Sequence, residues 1–256
     1  MNEHLPYCFV YCAIYVILVL GGRYYLSDKP KFNLKRWLAV WSSMLATFSI
    51  LGFLRMGPEM YHTLSNYGLY NSVCVPNFLT RDSVAAFWTF LFTLSKVVEL
   101  GDTAFIVLRK QPLIFLHWYH HITVLLYTWY SYGEVSASGR WFTTMNLFVH
   151  SWMYSYYALK AMGFSPPKWI AITITTLQLV QMIIGCVITF MAYYYIQTNE
   201  CNVTSYNVKL SMLMYLSYFI LFARFFQQAY LSNKPRNKAK QAHTNGTAND
   251  DKLKKK

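Results

Sequence analysis

The sequence predicts an all-α integral membrane protein with seven transmembrane helices. Three observations carry that reading. Of 256 residues, 55% are hydrophobic and 13% charged, whereas a soluble domain carries about 25% charged residues. The apolar residues gather into seven runs, several of them near the lower limit of the roughly 20 residues that cross a bilayer. The basic residues between the runs alternate in abundance from one connection to the next. The same composition excludes a disordered chain, a collagen-like chain and an ordinary cytosolic enzyme.

The first run, 5–22, lacks a basic leading stretch and a small-residue cleavage site, so it reads as a retained span and not a signal peptide. Runs 37–54, 84–108, 113–130, 141–159, 169–196 and 208–231 follow. Lipid requires each segment to satisfy its own backbone polar groups, and the runs are too long for barrel strands, so each reads as a helix. Residues 1–231 then form one seven-span domain, and 232–256 a disordered basic tail.

Charge orients the spans. One set of connections holds Arg23, Lys29, Lys31, Lys35 and Arg36, then Arg109 and Lys110, then Lys160 and Lys168, and finally eight Lys/Arg in the tail. The other set holds only Arg55, Arg81, Arg140 and Lys209. Basic segments stay cytosolic, which puts the C-terminus in the cytosol and, with an odd number of spans, the N-terminus on the far side. The net charge of +13 is therefore mostly topology, and nucleic acid drops out as a partner. The five cysteines form no CxxC pair, which leaves a zinc ribbon or thioredoxin-type motif unsupported.

Ionisable residues inside spans are costly and mark function by default. The third run carries Lys96, Glu99, Asp102 and Thr103, a spacing that puts all four on one helical face. The fourth carries His117, His120 and His121, again one face, in HWYHH. The fifth carries Asn146, His150, Tyr154 and Tyr157, the sixth Thr175, Gln178 and Gln181, and the seventh Arg224. At 1.5 Å per residue, Asp102, His120, His150, Gln178 and Arg224 lie roughly 9–14 Å from their own cytosolic ends. That describes a polar chamber open to the cytosol with an apolar, aromatic extension beneath it. Taken singly, a glutamine can be a helix-to-helix hydrogen bond, the Lys96–Glu99 pair a structural one and the tyrosines interface anchors. Three histidines on one turn with a fourth on the next helix, all at one depth, are harder to read as packing. Such histidines can bind one zinc or iron, although four are thin for a di-iron site. They can also act as nucleophile and base on an activated acyl group, while Lys96 and Arg224 hold phosphate or carboxylate and the extension holds a lipid tail. The competing reading is a seven-span transporter or receptor that binds without turnover.

KVVELGDT, HWYHH, HSWMYSYY and TTLQLVQ, in that order on successive spans, resemble the four boxes of the very-long-chain fatty acid elongase family. The contexts GDTAFIVLRK, PLIFLHWYHHITVLLYTWYSY and FTTMN resemble its palmitoyl-preferring subfamily, which acts on saturated and monounsaturated chains. The resemblance implies a fold in which six of seven helices enclose a narrow acyl tunnel as two inverted three-helix units. It implies an acyltransferase, a 3-oxoacyl-CoA synthase, that condenses acyl-CoA with malonyl-CoA and releases CO2 and CoA without a cofactor or metal. Carried over by position, His120 holds the acyl group, His117 and His121 orient or relay protons, and His150 with Asn146 lines the reacting carbonyl. Lys96 and Asp102 serve the condensation or the CoA end. Glu99, Thr103, Tyr154, Tyr157, Gln178, Gln181 and Arg224 contact substrate. The partners implied are the 3-oxoacyl-CoA reductase, dehydratase and enoyl reductase of the elongation cycle in the endoplasmic reticulum membrane, with a homodimer left open.

On this topology Cys74 and Cys201 lie in lumenal loops, where disulfides persist. Cys8 is near the same face, so the pairing is not forced; Cys74–Cys201 is expected, because it ties together the two ends of the six-helix unit. Asn202-Val203-Thr204 is a lumenal glycosylation sequon beside the membrane, whereas Asn245-Gly246-Thr247 is cytosolic. Lys252 and Lys254, fifth and third from the end, resemble a dilysine retrieval signal. From His120 about 18 Å of bilayer core remains below, which suits a long acyl tail, with Phe190, Tyr193 and Tyr194 as candidate floor residues.

Overall fold

The architecture comes from a computed structural model in which residues 5–198 and 200–231 are described. His4, the tail 232–256, its retrieval-like lysines and the Asn245 sequon lie outside the described residues. Those described are helical, with no strand among them: α1 Leu5–Tyr25, α2 Lys35–Cys74, α3 Asn77–Thr80, α4 Ser83–Glu99, α5 Gly101–Leu108, α6 Phe115–Gly133, α7 Gly139–Met162, α8 Lys168–Thr198 and α9 Ser205–Phe226, followed by a π-helical turn, Gln227–Leu231. The molecule is an all-helical, multi-pass integral membrane protein.

Local chemistry sets the boundaries. Asp82 caps α4, its carboxylate accepting from the backbone N–H groups of Val84 and Ala85 at 2.9 and 3.0 Å. Gly163, at φ 101°, ends α7 in the left-handed conformation that a side chain resists. Two elements differ from the apolar runs. The second extends from 37–54 to the whole of α2, 40 residues, with a break at Gly68, φ 75°. Hydropathy stops at Arg55, but that polar stretch stays helical because α7 packs along it. The third divides at Leu100 into α4 and α5.

By length and composition, four helices are apolar enough to cross a membrane: Pro6–Tyr25, Lys35–Cys74, Lys168–Thr198 and Ser205–Leu231. The remaining runs are shortened by the break at Leu100 or carry the histidines, Asn146 and tyrosines that lower their hydropathy.

The chain divides into two units, Met1–Ala223 and Arg224–Lys256. In the first, α2 packs along α7, α7 along α8, α4 along α6, and α1 against α5 and α6. Its largest core cluster joins Tyr127, Phe142, Met182, Ile188, Ala192, Tyr215 and Tyr218. Gly185 admits this packing: a Cβ there would lie 2.5 Å from the Tyr215 ring. In the second, Phe226 stacks near Tyr230, ring centroids 5.1 Å apart.

A disulfide joins Cys74 to Cys201 across 127 positions, while Cys8, Cys12 and Cys186 are free thiols. Around it, Asn202 N–H donates to Cys74 O at 3.0 Å and Ala137 N–H to Asn202 O at 3.0 Å. Glu134 gathers the Tyr130 hydroxyl, the Thr204 hydroxyl at 3.0 Å and Asn207 Nδ2 at 2.8 Å. The Asn202 side chain is exposed, its amide donating to Val135 O at 3.4 Å.

Candidate active site

Lys96 is 1% exposed, and a charge so placed needs partners. Its ammonium donates to Glu99 Oε1 at 2.7 Å and to Asn146 Oδ1 at 2.9 Å. It also lies 4.2 Å from the centroid of the Phe92 ring. Ser95 donates to the same Glu99 oxygen at 3.0 Å. With its oxygen taken by Lys96, the Asn146 amide must present Nδ2 to His150, whose Nε2 lies 3.2 Å away. The hydrogen-bond network thereby assigns His150 as a neutral ring accepting at Nε2 and protonated at Nδ1. That Nδ1 faces Glu99 Oε2 at 3.8 Å, a buried oxygen without a hydrogen bond of its own.

Asp102 and Thr103 follow on α5. Leu100, between α4 and α5, keeps right-handed helical angles (φ -57°, ψ -26°), and Asp102, like Lys96, reaches a residue of α7. Asp102 accepts from Trp41 Nε1 at 2.6 Å and from the Tyr154 hydroxyl at 2.7 Å. Tyr154 in turn meets the His150 ring edge-on at 5.3 Å. Gly101 makes room for the indole, since a Cβ there would lie 2.7 Å from Trp41. Thr103 Oγ1 joins His117 Nε2 at 3.0 Å and the Tyr15 hydroxyl at 2.8 Å.

The three histidines of α6 are distinct. The His117 and His121 rings are 4.5 Å apart. His121 is 6% exposed, with Nδ1 buried and unpaired. His120 stands 5.0 Å from the Tyr218 ring and, of the three, is the one that lines the cavity. Gln181 also lines it. Gln178 does not; its amide donates to Met153 Sδ at 3.4 Å. Tyr157 is exposed, its ring 6.4 Å from that of Tyr154. Thr175 is buried and donates to Ala171 O at 3.0 Å. Arg224 opens the C-terminal unit.

The cavity, open in part to the outside, has walls from α3, α4, α6, α7, α8 and α9. Along α6 its wall runs from His120 to Tyr132, about 18 Å at 1.5 Å per residue. Along α7 it runs from Asn146 back to Gly139, and Phe78 and Ser136 lie at that far level. These residues replace the expected floor. Phe190, Tyr193 and Tyr194 are 62%, 49% and 57% exposed. They occupy the outer face of α8, whose inner face is Ile188, Thr189 and Ala192.

The model of the ELO (GNS1/SUR4) family matches residues 1–238. The chain belongs to this family. It is 54% identical over 235 residues to very long chain fatty acid elongase 6 of Drosophila melanogaster, a match covering 91% of this chain and 74% of that one. Against elongase 6 of Homo sapiens the identity is 48% over 231 residues, covering 90% and 87%. Against human elongase 3 it is 45% over 239 residues, covering 93% and 88%. Within this ELO chain, the four polar boxes fall on α4–α5, α6, α7 and α8.

Sequence reasoning missed three contributors: Trp41, Tyr15 and the Glu59–Arg140 pair. An aromatic in an apolar run looks like packing, and Arg140 looked like a loop charge. Arg140 is instead fully buried, its Nε donating to both Glu59 oxygens at 3.1 and 2.9 Å. That side of the membrane carries Arg55, Arg81 and Arg140, so the sequence held no signal that pairs Glu59 with Arg140.

Proposed function

We propose that this protein is the condensing enzyme of fatty acid elongation, joining a long-chain acyl-CoA to malonyl-CoA to give 3-oxoacyl-CoA, CO2 and CoA. Family membership supports fatty acid elongation. One observation carries the mechanism: His120 is the histidine of its triplet that opens on a long, largely apolar cavity, with Asn146 of α7 lining the same cavity and His150 hydrogen-bonded behind it. A transporter or receptor has no use for a nucleophile beside an acid–base network, and nothing favours that reading.

The reaction runs in two halves. An unprotonated His120 nitrogen attacks the thioester carbonyl; the C–S bond breaks, CoA leaves and takes the imidazole proton as its thiol, and the acyl group stays on the ring. Malonyl-CoA then loses its carboxylate as CO2, and the electron pair of that C–C bond becomes an enolate. The enolate carbon attacks the acyl carbon, the C–N bond breaks, and the departing imidazole takes up one proton from the solvent, passed on by His117 and His121. Donors aimed at the enolate oxygen lower this barrier; the Asn146 amide, on the cavity wall, is the donor, Lys96 and His150 hold it in place from behind, and Asp102 holds Tyr154 and Trp41. His117 and His121 orient or relay protons beside His120. Shielding from water protects the acyl-imidazole. Glu99, Thr103, Gln181, Gln178, Tyr157 and Arg224 are the remaining substrate-side candidates.

The same reading takes residues 1–231 as seven spans. The α4–α5 pair counts as one, six helices form the tunnel wall as two inverted three-helix units, and α1 packs outside. The disulfide end faces the lumen of the endoplasmic reticulum and the C-terminus the cytosol. The elongation-cycle reductases and dehydratase receive the product. The test is purified protein given acyl-CoA and radiolabelled malonyl-CoA. Label in a 3-oxoacyl product is expected; acyl-CoA binding without turnover rejects the proposal.

A further inference from the structure

The far level of the cavity is held more firmly than its other walls. Phe78, fully buried, lines it. Its ring lies 4.8 Å from the guanidinium of Arg140, which is also fully buried. That guanidinium donates to Glu59, to the backbone oxygens of Asn71 and Ser72 at 3.2 and 3.1 Å, to Val75 O at 3.4 Å and to the Asn77 side chain. The last carbonyls of a helix run short of backbone donors; Val75 N–H reaches Asn71 O at 3.1 Å, and Arg140 adds donors to Asn71 O and Ser72 O. One side chain thus fastens the end of α2 to the start of α3, the short helix that carries Phe78. The disulfide at Cys74 and the Trp141 Nε1 bond to Ser72 Oγ at 3.1 Å hold the same turn from other directions. Opposite the ring lies Gly139, where an added Cβ would meet only Phe78, at 3.7 Å, and otherwise open space.

A wall that selects among acyl chains must not yield when one more methylene presses on it. Close packing makes a pinned aromatic such a wall. We infer that Phe78, clamped by the Glu59–Arg140 pair, is the end stop that sets the longest acyl chain this protein elongates, with Gly139 leaving the last free space before it. The inference rests on the condensing-enzyme reading. It assigns specificity to α3 and the first residue of α7, and not to the aromatic residues of α8.

Two substitutions push in opposite directions. Phe78→Ala removes the stop, and products should extend by at least one elongation step beyond the wild-type limit. Gly139→Leu fills the last space, and products should stop short. In a well-fitted apolar pocket a surplus methylene costs about 10-fold or more in specificity, so the ratio of turnover on the longest and shortest substrates should move by that much in each case. The assay is a series of saturated acyl-CoAs from myristoyl to behenoyl with labelled malonyl-CoA, products resolved by chain length. No 3-oxoacyl product from wild type at any length overturns the condensing-enzyme reading. Product from wild type, with the same length limit in both variants, overturns the stop alone. If Phe78→Ala is not recovered folded, Phe78→Leu takes its place, and an unchanged limit there counts equally against the stop.

Discussion

At His150 one buried amide decides which ring nitrogen carries the proton. Lys96 fixes the Asn146 oxygen, Asn146 then donates to His150 Nε2, and Nδ1–H faces Glu99. His150→Ala removes the acceptor that orients the Asn146 amide, the donor proposed for the carbonyl and the enolate. Losing one preorganised donor of this kind costs about 10²–10³-fold in turnover, and that fall is expected in the labelled-malonyl assay, with the fold retained by thermal unfolding. The Lys96–Glu99 pairing was legible in the sequence because residues three apart share a helical face. The tertiary partners were not. Nothing in spacing says that Lys96 meets Asn146, 50 positions away, or that Tyr15 reaches Thr103 across 88. Periodicity reports a face and is silent on what that face meets.

Among the elements, the break between α4 and α5 matters most. Hydropathy runs unbroken from 84 to 108, so the sequence reads one span with one polar face. Lys96 on α4 reaches Asn146 of α7, and Asp102 on α5 reaches both Tyr154 of α7 and Trp41 of α2. Gly101 is what lets the indole approach. Trp41→Phe deletes the donor to Asp102 together with the outer part of the indole that faces Gly101, while Gly101→Val displaces the whole ring. A hydrogen bond to a charged group is worth about 1.5–3 kcal/mol, and each 1.36 kcal/mol is about tenfold in rate. Each variant should therefore lose about tenfold or more in turnover. Activity at the wild-type level in folded Trp41→Phe would show that this bond does not position Asp102 for the reaction. At this scale the sequence failed in two physical ways. A polar stretch such as the second half of α2 stays helical because α7 packs on it, and outward-facing aromatics of α8 are indistinguishable by composition from inward ones.

Over the whole molecule, the seven apolar runs and the order of the boxes were readable, because lipid restricts the backbone to helices and makes polar residues inside an apolar run conspicuous. The shape of the cavity was not, since it depends on which side of each helix turns inward. The central proposition is that this cavity stores an acyl chain on His120 between the two halves of the reaction. Intact-mass analysis after incubation with palmitoyl-CoA alone tests it directly. Wild-type protein should release CoA and gain the mass of one acyl group per site, and folded His120→Ala should gain none. An adduct of the same mass on His120→Ala, or wild type that elongates yet never carries an acyl group, would contradict it.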